Sequence, residues 1–435
     1  MPENKNWISE LVKQTMSNEQ FKLVGRGACA ICKGTRMLCG KPTCPLLMRA
    51  YSLMHVAPLI NRLNIDGASP PSIFVGRYGY PKVQVGPLVP PIHGDTALYD
   101  LPEVWFGRSM EEIVGFRSSL VRGELELHVT KFDEEKIMDK FRNVAFAATS
   151  TNVELQCEHP PRSVLSLNDE SPPFGPSARL QQLHVANVRW EPNVEKVYYD
   201  TDLKAVNAVK NLYLNQVPVT KIQRVFSIGA FGLQQNRRLV PTRWSITAVD
   251  DITSKMLTKN IKTYPLINEY LLFESKYLDN IFEVLVIPDA WSYEMLEKWR
   301  PGSMWNPETT SFMNGDREPY DGRTTYASNV GGAYYAAKLA VCERLNQMRR
   351  QAAVLVLREI GPGYIMPLGV WQVRENVRNA TQNSPQHYNT LNAALQRICS
   401  KISVTPKQLR EKSSILHSIL TQHKLTEYWQ ENTRF

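Results

Sequence analysis

The chain has 435 residues, 43% apolar and 21% charged, with a net charge of +9. That length predicts two or three domains with large cores, in the composition range of an ordinary soluble globular protein. No apolar stretch approaches the roughly 18 residues a membrane span needs, and the opening MPENKNWISE lacks the apolar run of a signal peptide. Cys157, Cys342 and Cys399 stand as isolated singles, the pattern of a reducing compartment, so a cytoplasmic protein is expected. The positive excess is spread thinly and permits a polyanionic partner without demanding one.

Residues 5–20 read as a short amphipathic helix leading into Cys29-Ala-Ile-Cys32-Lys-Gly-Thr-Arg-Met-Leu-Cys39-Gly-Lys-Pro-Thr-Cys44-Pro45. Four of the seven cysteines fall in sixteen residues, with two, six and four residues between successive ones. Thiolates are the ligands that borderline and soft metals select, and a tetrahedral site takes four. Gly34, Gly40 and Pro42 supply turns, while Lys33, Arg36 and Lys41 offset part of the thiolate charge. The pattern predicts a structural Zn²⁺ on Cys29, Cys32, Cys39 and Cys44. An iron–sulfur cluster is the alternative, since a cysteine followed by proline also ends some cluster motifs. Behind Pro45, Leu46, Leu53, Leu59 and Leu63 recur at near-helical spacing, and Pro58 kinks or ends this helix. The metal then acts as a staple onto the main body rather than as an independent finger.

From residue 70 glycine and proline punctuate the chain, and two short strands fit Ser72–Gly76 and Lys82–Val85, joined through Arg77-Tyr78-Gly79-Tyr80. Ser109 and Glu112 form a capping box, opening a helix that runs to about Val121 and stops at Gly123. A helix over about 133–148 precedes a strand at Val153–Cys157, and residues 158–192 read as a surface loop. Helices follow at Asp202–Leu214 and Val219–Ile228, resembling a helix-turn-helix in outline only. Trp244–Val249 reads as a strand ending at Asp250-Asp251, which cap the next helix. Two strands fall in 269–288, a polar linker in 306–323, a long helix at Gly331–Gln351, a central strand at Ala353–Leu357, and helices near 371–380 and 390–400.

The alternation predicts a mixed α/β fold, with α+β the variant. Its expected organisation is a metal motif in 1–50, an N-terminal lobe in 51–270, a C-terminal lobe in 271–405 and a flexible tail in 406–435. In that tail, Gln422-His-Lys-Leu425-Thr-Glu-Tyr428-Trp429 looks like the box that binds the sliding clamp (PCNA). There one helical turn gathers aliphatic and aromatic side chains into a plug beside the glutamine.

Longer stretches carry a wider likeness. The cluster Cys29–Cys44, Gly76-Arg-Tyr-Gly-Tyr-Pro-Lys-Val-Gln-Val-Gly-Pro87 and Arg117-Ser-Ser-Leu-Val-Arg122-Gly123 are three of them. Leu239-Val-Pro-Thr-Arg-Trp-Ser-Ile-Thr-Ala-Val-Asp-Asp251, Gly331-Gly-Ala-Tyr-Tyr-Ala-Ala-Lys338 and Gly369-Val-Trp-Gln-Val-Arg-Glu375 complete the set. From about residue 20 to 400 the chain resembles the archaeal Nre DNA-repair family. The resemblance implies a repair role in an archaeal cytoplasm, an N-terminal cysteine motif and a C-terminal clamp-binding motif. It supplies no reaction.

Residue chemistry suggests where a site lies. In an extended Arg243–Asp251, Arg243, Ser245 and Thr247 share one face, a guanidinium and two hydroxyls suited to phosphate. Arg77, Arg117, Ser118, Ser119 and Arg122 are expected alongside. Asp95 with Asp250 and Asp251 would form a carboxylate group able to hold Mg²⁺ or Mn²⁺. Three functions follow: a clamp-recruited factor contacting DNA or a nucleotide, a repair enzyme performing metal-assisted phosphodiester or nucleotide hydrolysis, and a non-catalytic adaptor. The first is favoured.

Overall fold

Turn-forming glycines and prolines divide the first half of the chain into strands short enough to lie side by side. The computed structural model describes residues 41–166, 172–304, 306 and 309–421, together with 21–24, 32 and 36–37. The protein falls into two units, Met1–Thr253 with Ile365–Trp371, and Ser254–Tyr364 with Gln372–Phe435.

The first unit holds β1 (Phe21–Val24), α1 (Pro45–Ile60), β2 (Asn64–Ser69), β3 (Ile73–Val75), β4 (Lys82–Val89), α2 (Met110–Ser119) and β5 (Val121–His128). Next come α3 (Ile137–Phe146), β6 (Thr151–Cys157), β7 (Ser163–Ser166), β8 (Ser177–Val185), α4 (Pro192–Tyr199), α5 (Ala205–Leu214), α6 (Val219–Ser227) and the start of α7 (Thr242–Ile261). Six strands form one sheet in the order β2-β6-β8-β5-β4-β3, in which only β5–β8 is parallel. Close approach inside it needs glycine, because a Cβ on Gly86 would lie 1.5 Å from the Gly123 carbonyl oxygen.

The second unit continues with β9 (Tyr270–Tyr277), β10 (Asn280–Ile287), β11 (Ser292–Trp299), β12 (Phe312–Glu318), α8 (Gly332–Met348) and β13 (Ala353–Ile360). It closes with α9 (Trp371–Gln382), β14 (Gln386–Tyr388), α10 (Leu391–Lys401), α11 (Pro406–Lys412) and α12 (Ser414–Thr421). The sheet order is β12-β11-β13-β10-β9-β14, again with a single parallel pair, β11–β13. All eight residues of β13 are buried, as a strand paired on both sides and covered on both faces requires. On one face Leu285, Leu355 and Leu357 pack with Leu395, Ile398, Leu409 and Leu416 from α10–α12. On the other, the Tyr293 hydroxyl donates to the Tyr334 carbonyl of α8 and the Ser275 hydroxyl to Asn376 of α9.

The fold is mixed α/β, with two six-stranded sheets and twelve α-helices among the described residues. The capping box at Ser109 and Glu112 is present, each side chain bonding the other residue's backbone N–H. Five expectations need correction. Residues 158–192 carry β7 and β8, and the polar stretch at 306–323 contains the edge strand β12. Gly123 lies inside β5 rather than ending a helix, since α2 stops at Ser119. Helices α11 and α12 pack on the core through Leu409 and Leu416, both fully buried, so the tail is docked at least to Thr421.

The fifth concerns Trp244–Val249, which is helix and not strand. Thr242, Ser245, Val249, Asp250, Thr253, Leu257 and Ile261 of α7 are buried at three- and four-residue spacing. The stripe has helical period but is largely hydroxylated or charged, so apolar periodicity does not reveal it. Among the described residues no helix is long and apolar enough to cross a membrane.

Candidate nucleic-acid interface

The β3–β4 hairpin and the first turn of α7 build one exposed surface of the first unit. The Val75 N–H donates to Thr242 Oγ1 at 2.9 Å, fixing the end of β3 to the start of α7. Gly79, at φ +80°, turns the chain, and the Lys82 N–H closes back on its carbonyl at 3.0 Å. The Tyr80 ring then lies 5.4 Å from that of Trp244, tilted by 49°. Arg77 sits 5.0 Å over the ring of Tyr78.

Two backbone bonds extend the surface: the Val129 N–H donates to the Pro81 carbonyl, and the Leu239 N–H to that of Val129. They bring the segments bearing Lys131 and Arg238 beside Lys82, which pairs with His128 across the β4–β5 ladder. Tyr78 is 74% exposed, Tyr80 48% and Trp244 48%. Lys82, Lys131, Arg238 and Arg243 are exposed as well. Large aromatic rings held open to solvent among cations offer stacking faces and phosphate partners at once.

The structure divides the expected phosphate residues. Arg77 and Arg243 belong to this surface, while Ser245 is buried and donates its hydroxyl to the Gln223 carbonyl. Thr247 is half-buried on α7, where residues two apart do not share a face, so the row of Arg243, Ser245 and Thr247 does not form. Arg117 instead joins an internal ion cluster. Asp100, with no exposed side-chain surface, accepts from Arg224 Nε at 3.0 Å and Nη2 at 2.7 Å, and from the Ser72 hydroxyl. Arg117 Nη1 lies 3.3 Å from the same carboxylate, with its guanidinium 5.0 Å from the Trp105 ring centre. Burial pulls the Arg117 guanidinium below its ordinary pKa, against the pull of Asp100. Arg122 lies against the rings of Phe74 and Phe174, at 5.1 and 5.0 Å, and pairs with Glu124. Ser118 is buried, and the Ser119 hydroxyl donates to the Gly115 carbonyl.

The proposed carboxylate group is not assembled. Asp250 is fully buried and accepts from Gln223 Nε2 at 3.0 Å, and Asp95 accepts from the Ala97 N–H and the Ser150 hydroxyl. Asp251 follows Asp250 inside α7 and caps nothing. Among the described residues no three His, Cys, Asp or Glu side chains gather as a metal site. Of the cysteine motif, Cys32 and Cys44 are described, and both are buried. Cys44 stands at the N-terminal end of α1, where partial positive charge gathers, and Lys41, three residues before it, donates through Nζ to the Ile365 carbonyl. These surroundings fit a thiolate ligand; Cys29 and Cys39 lie outside the described residues, as do Gln422, Leu425, Tyr428 and Trp429.

Two ionisable groups, the half-buried Lys221 and the buried Glu283, stand apart from the surface. Lys221 donates to the Ala145 and Ala147 carbonyls at the end of α3, and burial brings its pKa down to about 7. In the second unit, Glu283 faces Glu274 across the β9–β10 ladder, and burial followed by Glu274 pushes it up to about 8. The sequence reading passed over Asp100, Arg224, Tyr78, Tyr80, Lys82 and Trp244 as site residues. The alternation of aromatic and basic residues in Arg77-Tyr-Gly-Tyr-Pro-Lys82 is the signal that marks Tyr78, Tyr80 and Lys82.

Comparison with known proteins places two profiles on the chain: "Archaeal Nre, N-terminal" over residues 38–306 and "Archaeal Nre, C-terminal" over 318–428. The DNA repair protein NreB of Archaeoglobus fulgidus is 40% identical over 389 residues, covering 89% of this chain and 96% of that protein. NreA of the same organism, also a DNA repair protein, is 39% identical over 84% of this chain and 92% of its own length. NreA of Haloferax volcanii is 35% identical over 82% and 88%. No solved structure matches the chain.

Proposed function

Because the chain belongs to the archaeal Nre family, we propose that it is a DNA-repair factor that contacts nucleic acid through the Tyr78–Trp244 surface. The observation that carries the reading is the set of open aromatic rings among Arg77, Lys82 and Arg243. Structural carboxylates occupy the alternative arginines, Arg117 and Arg122, leaving this surface as the better partner for phosphate. A Zn²⁺ held by Cys29, Cys32, Cys39 and Cys44 would staple the N-terminus at the start of α1, with a structural role only. The Gln422–Trp429 box would deliver the protein to the sliding clamp.

Binding of fluorescent DNA by the full chain across a salt series tests the surface, because phosphate contacts release counterions. Affinity should fall steeply with salt, and Arg77→Ala with Lys82→Ala and Arg243→Ala should flatten the slope. Undetectable binding at low salt would sink the nucleic-acid reading. Calorimetric titration of the clamp tests recruitment separately, and heat unchanged by Tyr428→Ala with Trp429→Ala would remove it.

A further inference from the structure

We infer that the Tyr78–Trp244 surface takes unpaired bases, in single-stranded or locally opened DNA, rather than intact duplex. This rests on the nucleic-acid reading above and names the form of ligand the site accepts.

The rings decide it. In a duplex the faces of bases are covered by their neighbours, and only phosphates and base edges are presented to a protein. A positively charged stripe suffices for that form and has no use for exposed ring faces. Here three aromatic side chains remain open to solvent, one of them, Tyr78, at 74% exposure. Tyr80 and Trp244, each about half exposed, meet at 49° rather than in a parallel stack. A base that has left its stack presents the flat π-face these rings lack, whatever its sequence.

The platform is also set in advance. Thr242 Oγ1 holds the end of β3, the Gly76 N–H donates to the Gln84 carbonyl at 2.7 Å, and the Lys82 N–H closes the turn at Gly79. These bonds fix the backbone beneath Tyr78, Tyr80 and Trp244, so little main-chain ordering remains for binding. Arg77, Lys82 and Arg243 flank the rings, where the phosphates joining stacked nucleotides would run. Opening a paired base costs free energy, least at a mismatch or damaged position, so such a platform prefers DNA already disturbed.

The test is fluorescence anisotropy of the full chain with a labelled oligothymidylate and with a duplex of equal length at one salt concentration. The single strand should bind about tenfold more tightly, and Trp244→Ala should weaken it by roughly tenfold while leaving duplex binding within about twofold. Trp244→Phe should restore most of the loss. Tyr78→Ala, at a side chain too exposed to hold the fold, should lower single-strand affinity in the same sense. If duplex binds as well as single strand, or Trp244→Ala weakens both equally, the inference is overturned while the nucleic-acid reading stands. If neither DNA binds, both fail.

Discussion

Two pairs of arginines in the first unit show how differently one side chain can be used. Arg117 and Arg224 converge on the buried Asp100, with Ser72 completing its hydrogen bonds and Trp105 covering one guanidinium. Arg77 lies over the Tyr78 ring and Arg243 precedes Trp244, on a surface where Tyr78, Tyr80 and Trp244 stay exposed to water. The first arrangement is a structural knot, since two guanidiniums there have one carboxylate between them and depend on it. The second leaves cations where a polyanion can reach them. Basic residues in a motif-like stretch therefore say little about ligand contact until burial has sorted them.

Removing the knot should have the largest effect. Asp100→Ala leaves Arg117 and Arg224 facing each other without a counter-charge, and thermal melting should report a loss of about 3–5 kcal/mol. DNA affinity of the molecules that remain folded should hold; lost affinity with unchanged melting would reverse the roles of the two pairs.

Glu283 extends the comparison to a buried carboxyl with a weaker partner set. Its folded pKa, about 8, lies above the 4.5 of an ordinary glutamate, so the folded state holds the extra proton between those values. The stability this proton contributes is complete below pH 4.5 and declines as pH rises through 8. Urea unfolding at pH 5, 7 and 9 should show this decline, and Glu283→Gln should flatten it. Glu274, Arg397 and Lys401 face the same carboxyl and are left in place by that variant.

Smaller effects belong to the surface. Ser109→Ala removes one half of the α2 capping box and should cost about 1 kcal/mol in denaturant unfolding. Arg243→Ala should change stability by less than about 0.5 kcal/mol. Its signature is a salt slope of DNA binding shallower by about one. A melting shift as large as that of Asp100→Ala would place Arg243 with the structural pair.

Much of the architecture was legible because it follows apolar period and turn chemistry. The buried run in β13, the α2 capping box, the hairpin at Gly79 and the α5–α6 pair all announce themselves in this way. The failures share a cause. Helix α7 buries Ser245, Asp250 and Thr253, and hydroxyls and a carboxylate do not register as a core stripe even at helical spacing. Placed on a strand, Arg243, Ser245 and Thr247 line up; on a helix they diverge and the inferred phosphate row dissolves. β8 carries Arg179, Gln181 and Gln182 among its apolar residues and was lost in a proline-rich stretch. Asp100 could not be paired with Arg224 from the sequence, because 124 residues separate them.

The docking of α12 bears on reach. Leu416 is fully buried in the second unit, α12 is described to Thr421, and Gln422, the first residue of the segment proposed to bind the clamp, follows it directly in the sequence. Many tethered partners search a wide volume because a long linker dilutes them around their anchor. The clamp-binding box proposed above, joined this directly, would act in the opposite regime: a short leash, a high local concentration near the clamp face, and little freedom to sample DNA far along the duplex. Lengthening that junction with a glycine–serine insert after Thr421 would trade proximity for range without touching either binding surface.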